Sequence, residues 1–217
     1  MSIHVRRALA AASLAFAASA LAAESDLSWN ARLLLAARNS DAAALERALG
    51  AGASPNSRNR FGETALVLAL KKNDVAMAKT MLGAGADVNI ASVQGITPLM
   101  AAAHAGNAPL VAEILARGAK ADPVDRLGKS AMTYAAGQGH AQVVRQLLAA
   151  GVDPNAVYRN DLTALMWAAG YGKTEAAKAL LDAGARVDPK DNRGKTALDI
   201  AREGGYAETV TLLEERR

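Results

Sequence analysis

Cysteine is absent from the 217-residue chain. Without thiols, the protein forms no disulfide and no thiolate zinc site, and it has neither a cysteine nucleophile nor a lipidated N-terminal cysteine. Aromatic residues make up only 4% of the sequence, whereas hydrophobic residues make up 51%. The core is therefore built from Ala, Leu, Val and Met. This composition suits thin, closely stacked helices better than a broad sheet sandwich.

Neither basic nor acidic residues are in large excess. The formal net charge is +4, from 25 Lys and Arg against 21 Asp and Glu. Two of the basic residues, Arg6 and Arg7, belong to an N-terminal segment that we expect to be removed, which leaves 23 basic against 21 acidic residues. This balance gives no reason to expect binding to nucleic acid.

The first 22 residues have the features of a secretory signal peptide. A basic start with Arg6 and Arg7 is followed by an apolar run from Ala8 to Ala18 and by small residues at the cleavage site, Ala20-Leu21-Ala22. We expect the mature chain to begin at Ala23, as a soluble protein of the bacterial periplasm. The alternative is an uncleaved membrane anchor, but the run is short and only weakly apolar for a membrane span.

A period of 33 residues organises the rest of the chain. Thr97 stands where a helix N-cap belongs, and Pro98 follows at the first helical position, where its missing N–H costs nothing. Three columns share the period: the hydroxyl residues Thr64, Thr97, Ser130, Thr163 and Thr196; the glycines Gly52, Gly85, Gly118, Gly151 and Gly184; and the residues Asn56, Asn89, Asp122, Asn155 and Asp188. A period of this size predicts a repeat array.

The repeated unit, Gly-x-Thr-Pro-Leu-x-x-Ala-Ala followed by a helix that ends in Leu-Leu-x-x-Gly-Ala, closely resembles the ankyrin repeat. The resemblance covers roughly residues 27–217, about six units, within a domain predicted at 23–217. It implies an all-α repeat solenoid, in which helix-turn-helix units carry β-hairpin fingers and are stabilised by their neighbours. Both terminal units depart from the pattern, as the caps of an array do.

The sequence also departs from the ankyrin pattern at two internal places. The residue after Thr-x-Leu, usually His in this family, is here Val67, Met100, Thr133, Met166 or Asp199. Asp161 stands where the other fingers carry Gly. Because Asp tolerates a left-handed backbone better than most residues, we expect this finger to change in shape without a change of fold.

No arrangement of residues predicts catalysis, a metal or a cofactor. Only His104 and His140 lie beyond the N-terminal segment, about one unit apart and without carboxylates at ligand spacing. Neither a Gly-x-Ser-x-Gly motif nor a phosphate-binding loop is present. Trp167 and Tyr134 occupy matching places in adjacent units; of a ligand platform and packing into the core, we favour the core.

The resemblance implies that finger tips and inner helices select a partner. Arg and aromatic residues at such positions are typical of binding hot spots, whereas the alternative is a scattered, solvated surface. The predicted partner-binding residues are Arg60, Phe61, Gln94, His104, Arg126, Leu127, Tyr158, Arg159, Tyr171 and Arg193.

The function that we expect is a non-catalytic protein–protein interaction module in the periplasm. A monomer would hold a partner protein with an acidic patch in its concave groove, as a scaffold, an inhibitor or a protective partner of an exported enzyme or toxin. It would bind neither nucleic acid nor, once its signal is cleaved, a membrane. The alternatives are an enzyme with an unrecognised site and an envelope-tethered structural protein.

Overall fold

The computed structural model describes residues 27–216, so the predicted signal peptide at 1–22 and its cleavage site lie outside the described residues. Within 27–216, twelve α-helices follow one another in six pairs. The first members, called the inner helices, are α1 Trp29–Asn39, α3 Ala65–Lys71, α5 Pro98–Ala105, α7 Ala131–Gln138, α9 Ala164–Gly170 and α11 Ala197–Glu203. The second members, the outer helices, are α2 Ala42–Gly50, α4 Val75–Gly83, α6 Ala108–Ala116, α8 Ala141–Ala149, α10 Thr174–Asp182 and α12 Ala207–Glu215. No helix in this part of the chain is long and apolar enough to cross a membrane.

Hydroxyl N-caps start the inner helices from α3 onward, as predicted. Thr97 Oγ1 accepts a hydrogen bond from the backbone N–H of Met100 at 3.2 Å, and Pro98 occupies the first turn. In α11 the cap is reciprocal, because Asp199 Oδ2 accepts from the backbone N–H of Thr196 at 3.0 Å. Hydroxyl caps also form at Thr64, Ser130 and Thr163, and those at Ser130 and Thr163 are reciprocal as well.

The core is one apolar layer that runs through all six pairs. Each inner helix contacts the inner helix of the next unit, and the pairs share a single cluster of buried side chains. Leu147 of α8 is 0% exposed within this cluster. Alanines such as Ala102 and Ala135, also fully buried, let the helices approach closely. An all-helical solenoid is thus confirmed.

Asparagine side chains join the loops of successive units. The Nδ2 group of Asn89 donates to the Gly118 carbonyl at 3.1 Å, and its Oδ1 accepts from the backbone N–H of Lys120 at 2.9 Å. Asn155 makes the equivalent pair of bonds to the following loop. Among the described residues, no such bond leaves Asp122, which lacks the amide donor.

The fingers, residues 59–63, 92–96, 125–129, 158–162 and 191–195, are tight turns that a backbone bond closes between their ends, as in a short hairpin, but without strands in the described chain. Between residues 27 and 216 no strand forms, and the single β-bridge found there joins Val157 to Thr163. In the third of these turns, the backbone N–H of Asp125 donates to the Lys129 carbonyl at 2.9 Å, while Asp125 Oδ1 accepts from the backbone N–H groups of Leu127 and Lys129. The side chain satisfies donors inside the turn, so a strand ladder has no room to continue.

The finger at 158–162 has a different turn, as the substitution of Asp161 for Gly predicted. Asn160 and Asp161 both have left-handed backbones, with φ of 63° and 59°, and lie in a short 3₁₀ turn, Arg159–Asp161. Tyr158 occupies the place of Asp125 and cannot cap the turn. Neighbouring fingers elsewhere are linked by backbone bonds, for example from Arg126 N–H to the Gln94 carbonyl at 2.9 Å. In the described chain no such bond joins the fingers at 125–129 and 158–162.

Candidate functional site

The inner helices and the fingers meet along one face of the array, and cavities on this face are lined by residues of both. We call this face the inner groove. Its floor is formed by one residue from each inner helix, at intervals of 33: Leu35, Leu68, Ala101, Tyr134, Trp167 and Ile200. All of them are half-buried except the smaller Ala101, which is buried.

Four aromatic rings form a cluster at the centre of the inner groove. The rings of Trp167 and Tyr171 stack nearly parallel, with centroids 6.0 Å apart. The ring of His104 meets that of Tyr134 edge-on, with centroids 5.5 Å apart. Aromatic pairs prefer both geometries, because each places the positive edge of one ring near the negative face of another. The cluster joins units three, four and five.

Lys129 places its ammonium group over this cluster. Its Nζ lies 4.5 Å from the centroid of the Trp167 ring and 5.5 Å from that of Tyr134. These distances are within the range of cation–π attraction. The rings attract the ammonium without accepting conventional hydrogen bonds, so its three N–H donors remain available to an anion.

A buried carboxylate fixes the position of Tyr134. The Tyr134 hydroxyl donates to Asp125 Oδ2 at 2.6 Å, and Asp125 is only 6% exposed. Burial of the hydroxyl, together with its bond to Asp125 and the charge of that residue, raises the pKa of Tyr134 well above that of free tyrosine. The hydrogen bond between Tyr134 and Asp125 therefore joins the ring cluster to the finger turn.

Gly137 leaves open space beside the rings. It lies in the last turn of α7 with a helical backbone, where glycine is less favourable than alanine by about 1 kcal/mol. An added Cβ would be 3.6 Å from the Tyr171 ring and 3.7 Å from the Trp167 ring, which is ordinary van der Waals contact. The glycine is not required by the backbone. Its effect is to keep a cavity open.

Two cavities flank the pair His104–Tyr134. One, of about 270 Å³, is mainly apolar and is lined by Lys71, Ile96, Met100, Ala101, His104 and Tyr134. The other, of about 200 Å³, is lined by the rings of the cluster together with Lys129, Thr133, Gly137, Gln138 and Lys173. Neither lining includes an Asp or Glu, but carboxylates lie just behind both cavities: Lys71 of the first is paired with Glu63 at 2.8 Å, and Tyr134, which lines both, donates to Asp125.

The predicted residues of the first finger border a third cavity. Arg60 lies over the Phe61 ring, with its guanidinium carbon 4.8 Å from the centroid, and Phe61 is 54% exposed. Both line a cavity of about 560 Å³ together with apolar residues of α1, among them Leu34 and Leu35. This part of the inner groove is wider and less enclosed by aromatic rings.

The structure places the remaining predicted residues in different surroundings. Gln94, Arg126, Leu127 and Arg159 are exposed on the fingers, and Arg159 packs its Cβ against Gly128 of the neighbouring finger. Arg193 is also exposed, but it forms an ion pair with the buried Asp191 at 2.7 Å. Tyr158 is half-buried, and this burial raises its pKa. It therefore contributes more to the finger than to an open surface.

The predicted residues His104 and Tyr171 belong to the central cluster, whereas Tyr134 and Trp167 were predicted to pack into the core. Each of these two side chains packs against the core and also lines a cavity of the inner groove. Lys129 and Gly137 were missed. A glycine inside a helical pattern was the available sign for Gly137, whereas nothing in the sequence places Lys129 over the rings.

Histidines and carboxylates do not assemble into a metal site in the described part of the chain, where no group of three is close enough. His140 Nε2 lies 3.1 Å from the backbone carbonyl of His104, to which it can donate, and so links two units. The arrangement offers apolar contacts, stacking and positive charge. These are the means of recognising a ligand.

A linear array of helix pairs with finger turns and a lined inner groove defines a repeat protein of the binding type. The family model described as "Ankyrin repeats (3 copies)" matches residues 33–123, 68–158 and 132–216. The chain belongs to the ankyrin-repeat family, whose repeats generally mediate protein–protein interaction. A search of the curated proteins finds no match to this chain.

Proposed function

We propose that the protein is a non-catalytic binding module that is exported to the periplasm and holds a partner protein in its inner groove. The observation that carries this proposal is the concentration of exposed aromatic, apolar and basic side chains on one face. Leu127 is 62% exposed, Phe61 54% and Tyr171 53%. Single exposed apolar residues are ordinary, but several on one grooved face are typical of an interaction site.

The charges of the fingers support a partner with an acidic patch. Among the ion pairs of the described residues, none involves Arg60, Arg126 or Arg159. Arg combines charge with a planar apolar surface, which makes it common at the centres of interfaces. Positive charge on the fingers would also accelerate association at low salt. A scaffold, an inhibitor and a protective partner of an exported enzyme or toxin all fit this surface.

Site-specific crosslinking tests the proposal. A photoreactive amino acid at Leu127 is expected to capture the partner in cells, and the same group at Gln142 of α8 is not. Replacing Arg126, Leu127 and Arg159 together with alanine is expected to abolish capture from a second position, Phe61, with little change in thermal stability. The matched control replaces the exposed outer residues Gln142 and Arg145 with alanine. Capture that depends on these outer residues instead would refute the proposal.

A further inference from the structure

The cavity of about 560 Å³ beside the first finger has a large excess of positive charge. Three arginines line it, Arg38 of α1 together with Arg58 and Arg60 at the first finger. The one carboxylate in its described lining is Glu63, which is paired with Lys71 at 2.8 Å. The charges of the three guanidinium groups are therefore not balanced within the cavity.

Other carboxylates act away from this cavity. Asp41, in the loop after α1, accepts from the backbone N–H of Ala44 at 2.9 Å and lines a separate cavity. Asp125 lies behind the ring cluster, in the same finger as Lys129, so it offsets positive charge at the central cavities. Of these three cavities in the inner groove, the one beside the first finger is thus the most positive.

Phe61 is exposed at this cavity but rigidly held. Its backbone N–H donates to Asn59 Oδ1 at 2.8 Å, and its carbonyl accepts from the backbone N–H of Val93 at 2.8 Å. The Arg58 guanidinium donates to the Ala91 carbonyl, also at 2.8 Å, and so fastens this finger to the next loop. The Phe61 side chain is nevertheless 54% exposed. A rigid exposed ring can bind a partner without a large loss of conformational entropy.

Arg60 and two leucines complete the cavity. The guanidinium carbon of Arg60 lies 4.8 Å from the centroid of the Phe61 ring, so the ring helps to position it. Within residues 27–216 neither Arg60 nor Arg38 forms an ion pair. Leu34 and Leu35 of α1 are half-buried and supply an apolar wall. Guanidinium groups bind carboxylates through two parallel N–H bonds, so the cavity combines a carboxylate site with an apolar surface.

We propose that the cavity beside the first finger anchors the partner protein, and that it takes an acidic segment in which a bulky apolar side chain lies next to carboxylates. This inference rests on the proposed function, since the segment belongs to the protein partner. The apolar side chain packs against Phe61, Leu34 and Leu35, and the carboxylates accept hydrogen bonds from Arg38 and Arg60. An ion pair exposed to water contributes little by itself, so recognition requires both the apolar and the acidic part.

A synthetic peptide tests this recognition directly. The probe is an acetylated and amidated seven-residue peptide with leucine at its centre, two glutamates on each side and glycine at both ends, so that carboxylates stand at several distances from the leucine. One control peptide has glutamine in place of every glutamate, and another has serine in place of the leucine. Titration into the purified ¹⁵N-labelled protein, followed through its backbone amide shifts, gives both the affinity and the location of binding.

The expected result is that the probe shifts the amides of residues 31–38 and 59–63. It should bind at least about tenfold more tightly than either control peptide, the usual effect of a charge-assisted hydrogen bond or of a buried leucine. Arg38→Gln, Arg60→Gln and Phe61→Ala should each weaken binding by at least about tenfold. The matched control is Arg145→Gln, the same change at an exposed arginine of α8, which should have no effect. Circular dichroism verifies that every variant is folded.

The partner itself gives a second measurement. Arg38→Gln combined with Arg60→Gln is expected to reduce crosslinking of the partner at Leu127 in cells by at least about tenfold, because the anchor is lost while Leu127 is unchanged. Undiminished crosslinking in this variant would overturn the inference.

The chain's own acidic residues are the competing occupant of the cavity. Glu24 and Asp26, outside the described residues, come shortly before Leu27, which lines the cavity. Glu24→Gln combined with Asp26→Asn is expected to leave the affinity for the probe unchanged. Binding that becomes about tenfold tighter in this variant would assign the cavity to the N-terminal segment and overturn the inference.

Three further results would overturn it. Equal binding of the glutamine peptide would remove the acidic requirement, and amide shifts centred on residues 129–138 and 167–173 would move the site to the ring cluster. Absence of peptide binding to the folded protein is the third. If the partner is nevertheless crosslinked at Leu127, the proposed function stands and only this anchor fails. If crosslinking instead depends on the outer residues Gln142 and Arg145, the proposed function itself fails.

Discussion

The hydrogen bond between Tyr134 and Asp125 gives a prediction that combines fold and site. Tyr134→Phe keeps the ring of the cluster and removes only the hydroxyl that donates to Asp125 Oδ2 at 2.6 Å. Asp125 is 6% exposed, so water cannot readily replace the lost donor. A buried acceptor left without its partner costs about 1–3 kcal/mol. We expect a loss of this size in the free energy of unfolding at pH 7.

The same bond makes the effect depend on pH. The folded-state pKa of Tyr134 is raised, so the unfolded chain loses this proton first as the pH rises. The protonated Tyr134 hydroxyl therefore contributes fully to the free energy of unfolding below the pKa of free tyrosine, about 10, and this contribution is lost progressively above that pH. The difference in stability between wild type and Tyr134→Phe should narrow from about pH 10 upward, by at most about 1.4 kcal/mol per pH unit.

Urea denaturation from pH 7 to pH 11 measures both effects. The matched control is Tyr171→Phe, which removes a hydroxyl from the exposed ring of the same cluster and should change stability by less than about 0.5 kcal/mol. If Tyr134→Phe is as stable as wild type at pH 7, the bond to Asp125 does not hold the ring. A difference that stays constant up to pH 11 would refute the raised pKa.

Four further predictions concern the array and its export. Leu147→Ala should lower the free energy of unfolding by about 2–5 kcal/mol in urea denaturation, since this side chain is 0% exposed; an unchanged midpoint would contradict the assigned helix register. Asp161→Gly should raise the free energy of unfolding by about 0.5–1 kcal/mol, because the Asp161 backbone is left-handed, with φ of 59°, and glycine adopts this conformation without strain. The reverse change, Gly128→Asp, should lower it, since a Cβ there would lie 2.6 Å from that of Arg159. N-terminal sequencing of the exported protein should begin at Ala23, and a start at Met1 in the membrane fraction would exclude cleavage.

Most of the fold could be predicted because each helix boundary is encoded locally. The hydroxyl of Thr97 and the ring of Pro98 mark a helix start whatever the rest of the chain does. The detailed shape of the fingers could not be predicted because it depends on side-chain bonds such as those of Asp125, which no hydrophobic period reveals. The Asn89 bonds to the next loop could not be predicted either, although the 33-residue period of the Asn and Asp residues gave the position of Asn89.

The site was harder to predict because its parts come from different units. Tyr134 and Trp167 have the apolar character of a core position, and only three-dimensional packing shows that they also line the groove. Lys129 reaches Trp167 across 38 positions of sequence, a contact that depends on the turn of its finger. Arg193, in contrast, was predicted from its place at a finger tip, and its pairing with Asp191 requires the structure.

The missing bonds around the finger at 158–162 have a consequence for motion. In the part of the chain that the structure describes, both the loop bonds and the finger bonds are missing between residues 118–129 and 151–162, which precede α7 and α9, while these two helices stay packed. Local opening is therefore cheapest at this boundary, and amide hydrogens on its two sides should exchange as separate groups. The ring cluster lies across the boundary, with Tyr134 on one side and Trp167 on the other. A ligand bound to both residues would hold the two sides together, and slower amide exchange on both sides would report its binding.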